Sequence, residues 1–375
     1  MDDFEPFLQI IHISDLHVID PKSQSAVSLR GWIRILRKLV PQAVTTFLQD
    51  ALAPHDSLAP SLFNDFLKEI TVKDPVWSKC KTWLVDTGDL TTLGDSASLA
   101  LGRKYLGEMG RVCPELASIY GNHDAWPGTF PLVAKRSAFN KQGTALKAHF
   151  TGAAPGLALR APIPHAAGEV QLYFVDSIRS GRLANSLALG KVRNLQLSAF
   201  KSLVDQNYQP NRHDLRILAV HHPVHYPAPR PHVQMSMTND RTVAKELDIP
   251  SPAGAYPLAH LILSGHTHFL FPEHGLLPSQ PSLCLHPELG NDQCQFVVGT
   301  LMQLDVYNKR SGWPHQCEVL RLYYSVSDPS VLSMDRLLVA RQAGANYRGT
   351  GLGPYKFVMV PGTENEIAEE ITFNV

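Results

Sequence analysis

Short apolar runs and longer amphipathic stretches alternate along the chain. The apolar runs are rich in Val, Ile and Leu and end in polar clusters, and they comprise LQIIHIS (8–14), KTWLVDTG (81–88), LASIYG (116–121), LYFVDS (172–177), LRILAV (215–220) and LILSG (261–265). A strand that is covered on both faces has a continuous apolar sequence rather than an alternating one. The pattern therefore predicts buried strands at these places.

Helical patterns lie between the predicted strands, at 29–52, 96–110, 131–149 and 189–206. The last of these patterns contains apolar residues at the spacing of one helical stripe: Val192, Leu195, Ala199 and Leu203. Such a stripe is typical of the face that a helix packs against a core. Alternation of strands and helices predicts an α/β sandwich.

The two ends of this regular region differ from it. Beyond residue 275 the sequence consists of strand-like pieces, LPSQPSLCL, QFVVGTLMQLDVY, CEVLRLYYSV and PYKFVMV, which predict a second, more antiparallel sheet. The segment 20–81 combines a basic amphipathic stretch with a Pro-containing loop, and we interpret it as an insertion or cap. The predicted organisation is a core over 1–275 that carries this segment, and a strand-rich part over 276–375 that completes the second sheet.

Composition excludes a general affinity for nucleic acid. The 375 residues are 44% hydrophobic and 18% charged, which is ordinary for a globular chain of one large or two smaller domains. Lys plus Arg and Asp plus Glu both number 34, so there is no basic excess that would attract a polyanion. Any affinity for an anion must therefore come from a local group of residues and not from the net charge of the chain.

Cysteine usage and the N-terminus favour a soluble, cytoplasmic protein. The five cysteines are odd in number and form no CxxC pair, which argues against a disulfide framework and against a thiolate zinc site. The N-terminal MDDFEPF is acidic where a signal peptide has a basic region, and no stretch approaches 18 uninterrupted apolar residues. We therefore expect no transmembrane segment.

Five short segments place metal-ligand side chains just after a predicted strand or at its turn. They are Asp15-Leu16-His17, Gly88-Asp89, Gly121-Asn122-His123-Asp124, His221-His222-Pro223 and Gly265-His266-Thr267-His268. Ligands of open α/β sheets gather beyond the carboxyl ends of the strands, so we expect these segments to converge on one site. The glycines next to the candidate ligands would let the backbone approach closely at the turns.

The side-chain types suit two metal ions better than one. Imidazole and carboxylate oxygen are ligands for Zn, Mn and Fe. The candidate groups are eight: Asp15, His17, Asp89, Asn122, His123, His221, His266 and His268. Eight groups exceed what a single ion needs, whereas two ions about 3.5–4 Å apart that share one carboxylate would use seven of them. Such a pair of ions clamps the attacking and leaving oxygens of an in-line displacement.

The ordered motifs DLH, GDL, GNHD, HHP and GHTH resemble those of the calcineurin-like metallophosphoesterase family, and within it the branch of bacterial cyclic-nucleotide and glycerophosphodiester phosphodiesterases. The resemblance covers residues 8 to 270, with each motif in family order. Any one motif has a structural explanation, such as an aspartate that caps a helix, but the ordered set is very specific. The resemblance implies a four-layer αββα sandwich in which residues 1–275 form the catalytic core.

The resemblance also implies a ligand set. The first metal would be held by Asp15, His17, Asp89 and His268. The second metal would be held by Asp89, Asn122, His221 and His266. Asp89 would thus bridge two divalent or trivalent ions (Mn, Fe or Zn), and a hydroxide between the ions would be the nucleophile.

Two residues are implied to act on the substrate without binding metal. His123 would contact the phosphate and assist the leaving group, and Asp124 would orient the His123 ring. His222 is left outside the ligand set, as either a packing residue or a substrate contact. The remaining histidines, His12 among them, have no ligand spacing and are interpreted as surface or loop residues.

The predicted function is the hydrolysis of a small-molecule phosphate ester. The HHP and GHTH motifs favour a phosphodiester, although a phosphomonoesterase or protein phosphatase would use the same metal site. A non-catalytic metal-binding scaffold is a further alternative. Such a scaffold would be expected to have lost some of the family's metal-ligand residues, but all of them are present in this sequence. The sequence leaves open a homo-oligomer, the exact substrate and the native metal pair.

Overall fold

A computed structural model describes residues 3–23, 55–129, 134–151, 155–166, 168–179, 188–209, 212, 214–224, 237–248, 258–267, 284–285, 294–302, 316–328, 331–341, 357–359 and 371–372. Two mixed sheets pack face to face in this part of the chain, and helices cover the outer side of each sheet.

The described strands in chain order are β1 Phe4–Ile13, β2 Lys81–Asp86, β3 Glu115–Ser118, β4 Gly156–Pro162, β5 Glu169–Phe174, β6 Leu215–Ala219, β7 Leu261–Ser264, β8 Cys284–Leu285, β9 Cys294–Val297, β10 Gln316–Ser325, β11 Val331–Arg341, β12 Phe357–Met359 and β13 Ile371–Thr372. Each apolar run of the sequence coincides with one of these strands. The prediction of buried strands from continuous apolar runs is therefore confirmed.

The first sheet has the strand order β12-β11-β10-β1-β2-β3, with β13 also paired to β11. Strands β1, β2 and β3 run parallel, whereas β10 is antiparallel to both β1 and β11. The second sheet has the order β4-β5-β6-β7-β9-β8. Its strands β5, β6, β7 and β9 run parallel, while β4 and β8 form antiparallel edges.

The described helices are α1 Ala59–Lys68, α2 Ser96–Gly110, α3 Arg136–His149, α4 Asn194–Asn207 and α5 Asp240–Asp248; a π turn (Glu69–Lys73) and a short 3-10 turn (Trp77–Lys79) follow α1. None of the described helices is long and apolar enough to cross a membrane. The predicted helical pattern at 29–52 lies outside the described residues.

The core consists of three apolar layers, and alternating residues of β1 contribute to two of them. Leu8 and Ile10 point between the two sheets, where they pack with residues of the second sheet such as Leu172. Ile11 and Ile13 point to the opposite side, toward α1, α2 and α3. A third cluster fills the space between the second sheet and helices α4 and α5. The order of layers is helix, sheet, sheet, helix, which confirms the predicted αββα sandwich.

The buried face of α4 differs from the predicted stripe. Val192 is buried, but it precedes the helix, and Leu195 is 85% exposed. The helix instead buries Leu197, Phe200 and Val204, which lie three to four residues apart along one face. The predicted stripe was wrong for Leu195 and Ala199, which are exposed, whereas Leu203 packs partly buried against the same core. Two apolar faces compete in this sequence, and only contact with the sheet selects between them.

The strands after residue 275 are shared between the two sheets. Strands β8 and β9 extend the second sheet, whereas the long pair β10 and β11 joins β1 in the first sheet. The sequence had assigned this part to one sheet only. The limits 1–275 and 276–375 stay a prediction, as does the interpretation of 20–81 as an insertion or cap, since residues 24–54 lie outside the described residues.

Candidate metal centre

The predicted site residues lie together at the carboxyl ends of strands from both sheets. Strands β1, β2 and β3 lead into it from the first sheet, and β6 and β7 lead into it from the second. The described members are Asp15, His17, Asp89, Asn122, His123, Asp124, His221 and His266, and none is more than 6% exposed. His268 lies outside the described residues.

Unusual backbone angles turn the candidate ligands inward. Asp15, His17, Asp89 and His266 all have positive φ angles, between 49° and 72°. Non-glycine residues rarely adopt this left-handed conformation, and such strain gathers at functional sites. Four of them in one cluster indicate that the fold holds these side chains in place at a cost in backbone energy.

Glycine is required where the ligand loops meet. A Cβ atom on Gly121 would lie 2.1 Å from Asp89 Oδ1, and one on Gly265 would lie 1.8 Å from Ser14 Oγ. Gly88 has a φ of +109°, which side chains disfavour. The close approach that the sequence predicted at these glycines is confirmed.

The carboxylates of Asp15 and Asp89 each accept a backbone hydrogen bond through one oxygen, and the other oxygen faces the histidine rings. Asp15 Oδ2 accepts a hydrogen bond from the backbone N–H of His266 at 2.8 Å, and Asp89 Oδ1 accepts one from the N–H of His123 at 2.7 Å. Asp15 Oδ1 and Asp89 Oδ2 each lie 3.7 Å from His17 Nε2. Asp89 Oδ2 also lies 3.4 Å from His221 Nε2.

The ring of His221 is oriented by the backbone. Its Nδ1 donates a hydrogen bond to the Thr87 carbonyl at 2.8 Å, which places the proton of the neutral ring on Nδ1. Its Nε2 therefore faces the cluster, 3.0 Å from Asn122 Oδ1 and 3.2 Å from His266 Nδ1. A carbonyl partner of this kind is what metal-binding histidines commonly have.

Among the described residues, three groups of side chains bring their ligand atoms within 4.8 Å of one another: His17 with Asp89 and His123, Asp15 with Asp89 and His221, and His221 with His222 and His266. Asp89 belongs to two of the groups. Nitrogen and carboxylate oxygen make up the whole donor set, which suits Mn, Fe or Zn and includes no thiolate. These residues therefore fit a metal cofactor.

Electrostatics favour a cation at this place. Burial alone would raise the pKa of Asp89, but the neighbouring His221 and His123 rings hold that pKa well below its usual range. Burial would lower the pKa of His221, whereas Asp89 raises it to about 9. The carboxylate thus demands positive charge beside it, which either a protonated imidazole or a metal ion can supply.

His222 is fully buried beside His221 and His266. Burial, reinforced by the nearby His221, lowers the pKa of His222 to about 3. Its Nδ1 lies 2.8 Å from Ser177 Oγ, and its ring packs against the ring of His266 with 4.1 Å between centroids. Its position matches the packing role better than a contact with substrate.

The orientation of the His123 ring corrects one prediction. Asp124 was expected to orient this ring, but its carboxylate accepts hydrogen bonds from the N–H groups of Leu90, Thr91 and Gly121 and from the Thr91 hydroxyl. His123 Nδ1 instead donates to the Thr92 carbonyl at 2.9 Å. Asp124 therefore holds the two ligand loops together, because a buried carboxylate satisfies several backbone N–H groups at once.

Trp126 is a site residue that the sequence analysis missed. Its ring stacks on His123, with 4.2 Å between centroids and 27° between planes. The His123 ring also forms a T-shaped contact with the His17 ring, with 4.7 Å between centroids and 75° between planes. The only signal in the sequence was an aromatic residue three positions after His123, which many loops also contain.

His12 was interpreted as a surface or loop residue, and this was wrong. It lies in β1 and is fully buried. Its Nδ1 donates to Glu318 Oε1 at 2.5 Å, and its Nε2 lies 3.0 Å from Thr87 Oγ1. The alternation along β1 could have placed it, because His12 follows Leu8 and Ile10 on the face between the sheets.

The chain belongs to the calcineurin-like phosphoesterase family, which matches residues 8–270. The family uses divalent metals and implies a small-molecule phosphate ester, so membership supports metal-dependent phosphate-ester hydrolysis as the general activity. The resemblance that the motifs indicated is thereby confirmed at the level of the family.

Two solved structures resemble the fold at a distance. One is GAP50, the anchor in the inner membrane complex of Plasmodium, with a TM-score of 0.41, 10% identity, and coverage of 95% of this chain and 90% of that one. The other is the purple acid phosphatase PPD1 from yellow lupin (Lupinus luteus) seeds, with a TM-score of 0.43, 9% identity, and coverage of 95% and 54%. A search of curated proteins finds no match.

A buried carboxyl beside the site predicts a pH-dependent stability. Asp86 ends β2 and accepts hydrogen bonds from Ser118 Oγ at 2.6 Å and from the N–H of Gly88 at 3.2 Å. Burial outweighs both hydrogen bonds and raises the pKa of Asp86 to about 8, with a further contribution from the charges of Asp124 and Asp15. The folded chain therefore keeps a proton that the unfolded chain releases above its ordinary pKa of 3.8.

The Asp86→Asn variant should gain stability relative to the wild type as pH rises. The contribution of the protonated Asp86 is fully present below about pH 4 and is lost as pH rises through about 8, whereas asparagine does not titrate. Urea unfolding of both chains, with a chelator present, should show a difference in free energy that grows across this window. A difference that stays constant with pH would contradict the assignment.

Proposed function

We propose that the chain hydrolyses phosphodiesters with two metal ions that its buried Asp, His and Asn side chains hold side by side. The position of Asp89 carries this proposal, since its Oδ2 lies near ligand nitrogens of both sets, 3.7 Å from His17 Nε2 and 3.4 Å from His221 Nε2. A carboxylate shared by two adjacent ions is the arrangement of two-metal hydrolytic sites.

The proposed ligands follow the order of the motifs. For the first ion they are Asp15, His17, Asp89 and His268. For the second ion they are Asp89, Asn122, His221 and His266. The short distances among the described members and their nitrogen and oxygen donors support these sets, with Mn, Fe or Zn as the metals. When bound, the ions would polarise the phosphoryl oxygen and activate water at neutral pH.

We propose His123 as the residue that assists the leaving group. Its Nδ1 is held by the Thr92 carbonyl, and the stacked Trp126 ring fixes the plane of the imidazole. One ring nitrogen lies within 4.8 Å of ligand atoms of His17 and Asp89, so the ring reaches the place where a phosphate would sit. His123 would carry the transferable proton on Nε2, because Nδ1 is engaged with the backbone.

Other parts of the predicted function remain proposals of the same kind. A cytoplasmic location is supported by the odd number of cysteines, of which Cys80, Cys113 and Cys317 are free thiols in the described chain. The preference for diesters rests on the likeness of HHP and GHTH to the diesterase branch.

Diesters should be hydrolysed faster than monoesters. The chain, saturated with Mn²⁺, should show a higher kcat/KM for bis-p-nitrophenyl phosphate than for p-nitrophenyl phosphate. A monoester kcat/KM about tenfold above that of the diester, which equals about 1.4 kcal/mol of transition-state binding, would reverse the ranking. Asp89→Asn is the matched control, since it keeps the side-chain size and should abolish both activities if they arise at this site.

Loss of His123 should affect poor leaving groups most. General acid catalysis contributes about 10²–10⁴-fold to a rate, and this contribution shrinks when the leaving group departs without a proton. The His123→Ala variant should therefore lose much more kcat/KM with an alkyl diester than with a p-nitrophenyl diester, while its metal content stays that of the wild type. Equal losses would indicate phosphate binding instead, and a lost ion would show that His123 is a ligand.

A further inference from the structure

Four buried polar side chains form a continuous chain through the apolar layer between the sheets. Arg336 Nε donates to Glu318 Oε2 at 2.7 Å, and Arg336 Nη2 lies 2.7 Å from the same oxygen in an ion pair. Glu318 Oε1 accepts from His12 Nδ1 at 2.5 Å, and His12 Nε2 shares a hydrogen bond of 3.0 Å with Thr87 Oγ1. Arg336 lies over the ring of Phe296, a member of the inter-sheet cluster.

Stability alone does not account for this arrangement. Glu318, His12 and Thr87 are fully buried and Arg336 is 5% exposed. The free energy lost when two charges leave water offsets much of their mutual attraction, so well-packed apolar residues in their place often stabilise a fold as much or more. Burial alone would raise the pKa of Glu318, but Arg336 and the hydrogen bond from His12 outweigh it and lower that pKa. A charged carboxylate is therefore maintained inside the sandwich.

The polar chain ends at the metal centre. Thr87 follows β2, and its backbone carbonyl accepts the hydrogen bond from His221 Nδ1 at 2.8 Å. The Thr87 N–H donates to the Ile13 carbonyl at 2.9 Å, which ties the same residue to the end of β1. The Thr87 hydroxyl thus contacts His12 and, at 3.4 Å, the Ile13 carbonyl, while the Thr87 carbonyl accepts the hydrogen bond from His221.

We infer that Arg336, Glu318, His12 and Thr87 act as a positioning network for His221. The network fixes the Thr87 carbonyl, the carbonyl fixes the tautomer and direction of the His221 ring, and Nε2 then faces the second proposed ion. His12 and Thr87 are positioning residues, because they act through His221 and not on substrate. The inference rests on the proposed function, which makes His221 a ligand.

The hydroxyl of Thr87 offers the sharpest test. Removing Glu318 or Arg336 would leave a buried charge unpaired and could unfold the chain. Thr87→Val keeps the shape and the backbone carbonyl but removes the hydroxyl, and with it the hydrogen bond with His12 at 3.0 Å and the longer one to the Ile13 carbonyl at 3.4 Å. Thr87→Ser keeps the hydroxyl and serves as the matched control. Leu172→Ala controls for lost stability, since Leu172 is fully buried in the same layer on the second sheet.

Titration of each metal-free chain with Mn²⁺ in a calorimeter, supported by the Mn²⁺ EPR spectrum, separates the outcomes. Thr87→Val should lower the affinity for the second ion by about tenfold, which is the lower end of the effect of losing a residue that supports a metal ligand. Its EPR spectrum should change from a coupled pair to an isolated ion. Thr87→Ser and Leu172→Ala should bind both ions as the wild type does.

The remaining outcomes each contradict a different claim. Unchanged binding of both ions by Thr87→Val would overturn the positioning network and leave the proposed function standing. Equal weakening in Thr87→Val and Leu172→Ala would also overturn it, because affinity would then follow stability. A wild-type chain that binds fewer than two Mn²⁺ ions would overturn the proposed function itself, and the network inference with it.

Discussion

The need to compensate buried negative charge organises this protein. Asp15 and Asp89 are fully buried at the junction of the two sheets, where an ionised carboxylate is costly without a positive partner. Backbone N–H groups satisfy one oxygen of each carboxylate, and imidazole nitrogens surround the other. A metal ion would complete this compensation, which is why the same residues that strain the fold define its candidate function.

The αββα sandwich makes such a cluster possible. Parallel strands in each sheet send their carboxyl ends to one edge, so loops far apart in sequence meet there. The left-handed angles at Asp15, His17, Asp89 and His266 show that the loops are not relaxed. The apolar layers on either side supply the stability that tolerates this strain, and the loop contacts of Asp124 keep two of the ligand segments in register.

The sequence predicted those features that depend on neighbouring residues alone. Continuous apolar runs located the strands, and short motifs after them located the candidate ligands, because ligand chemistry restricts residue type at each turn. The prediction fails at the exposed Leu195, because helix α4 has two apolar faces and the one that contacts the sheet is the face with Leu197, Phe200 and Val204. His12 shows a second limit, because its partner Glu318 lies 306 residues away and strand pairing alone brings them together. Asp124 differs from the role that the resemblance implied, because its carboxylate accepts hydrogen bonds from backbone N–H groups of two loops, and the sequence does not show which N–H groups need a partner.

The central claim is that two metal ions share Asp89. Anomalous diffraction from crystals saturated with Mn²⁺ tests it most directly, since each ion appears as a separate peak. The account predicts two peaks per chain, about 3.5–4 Å apart, on either side of the Asp89 carboxylate. A single peak at saturation, or two peaks of which only one contacts Asp89, would contradict it.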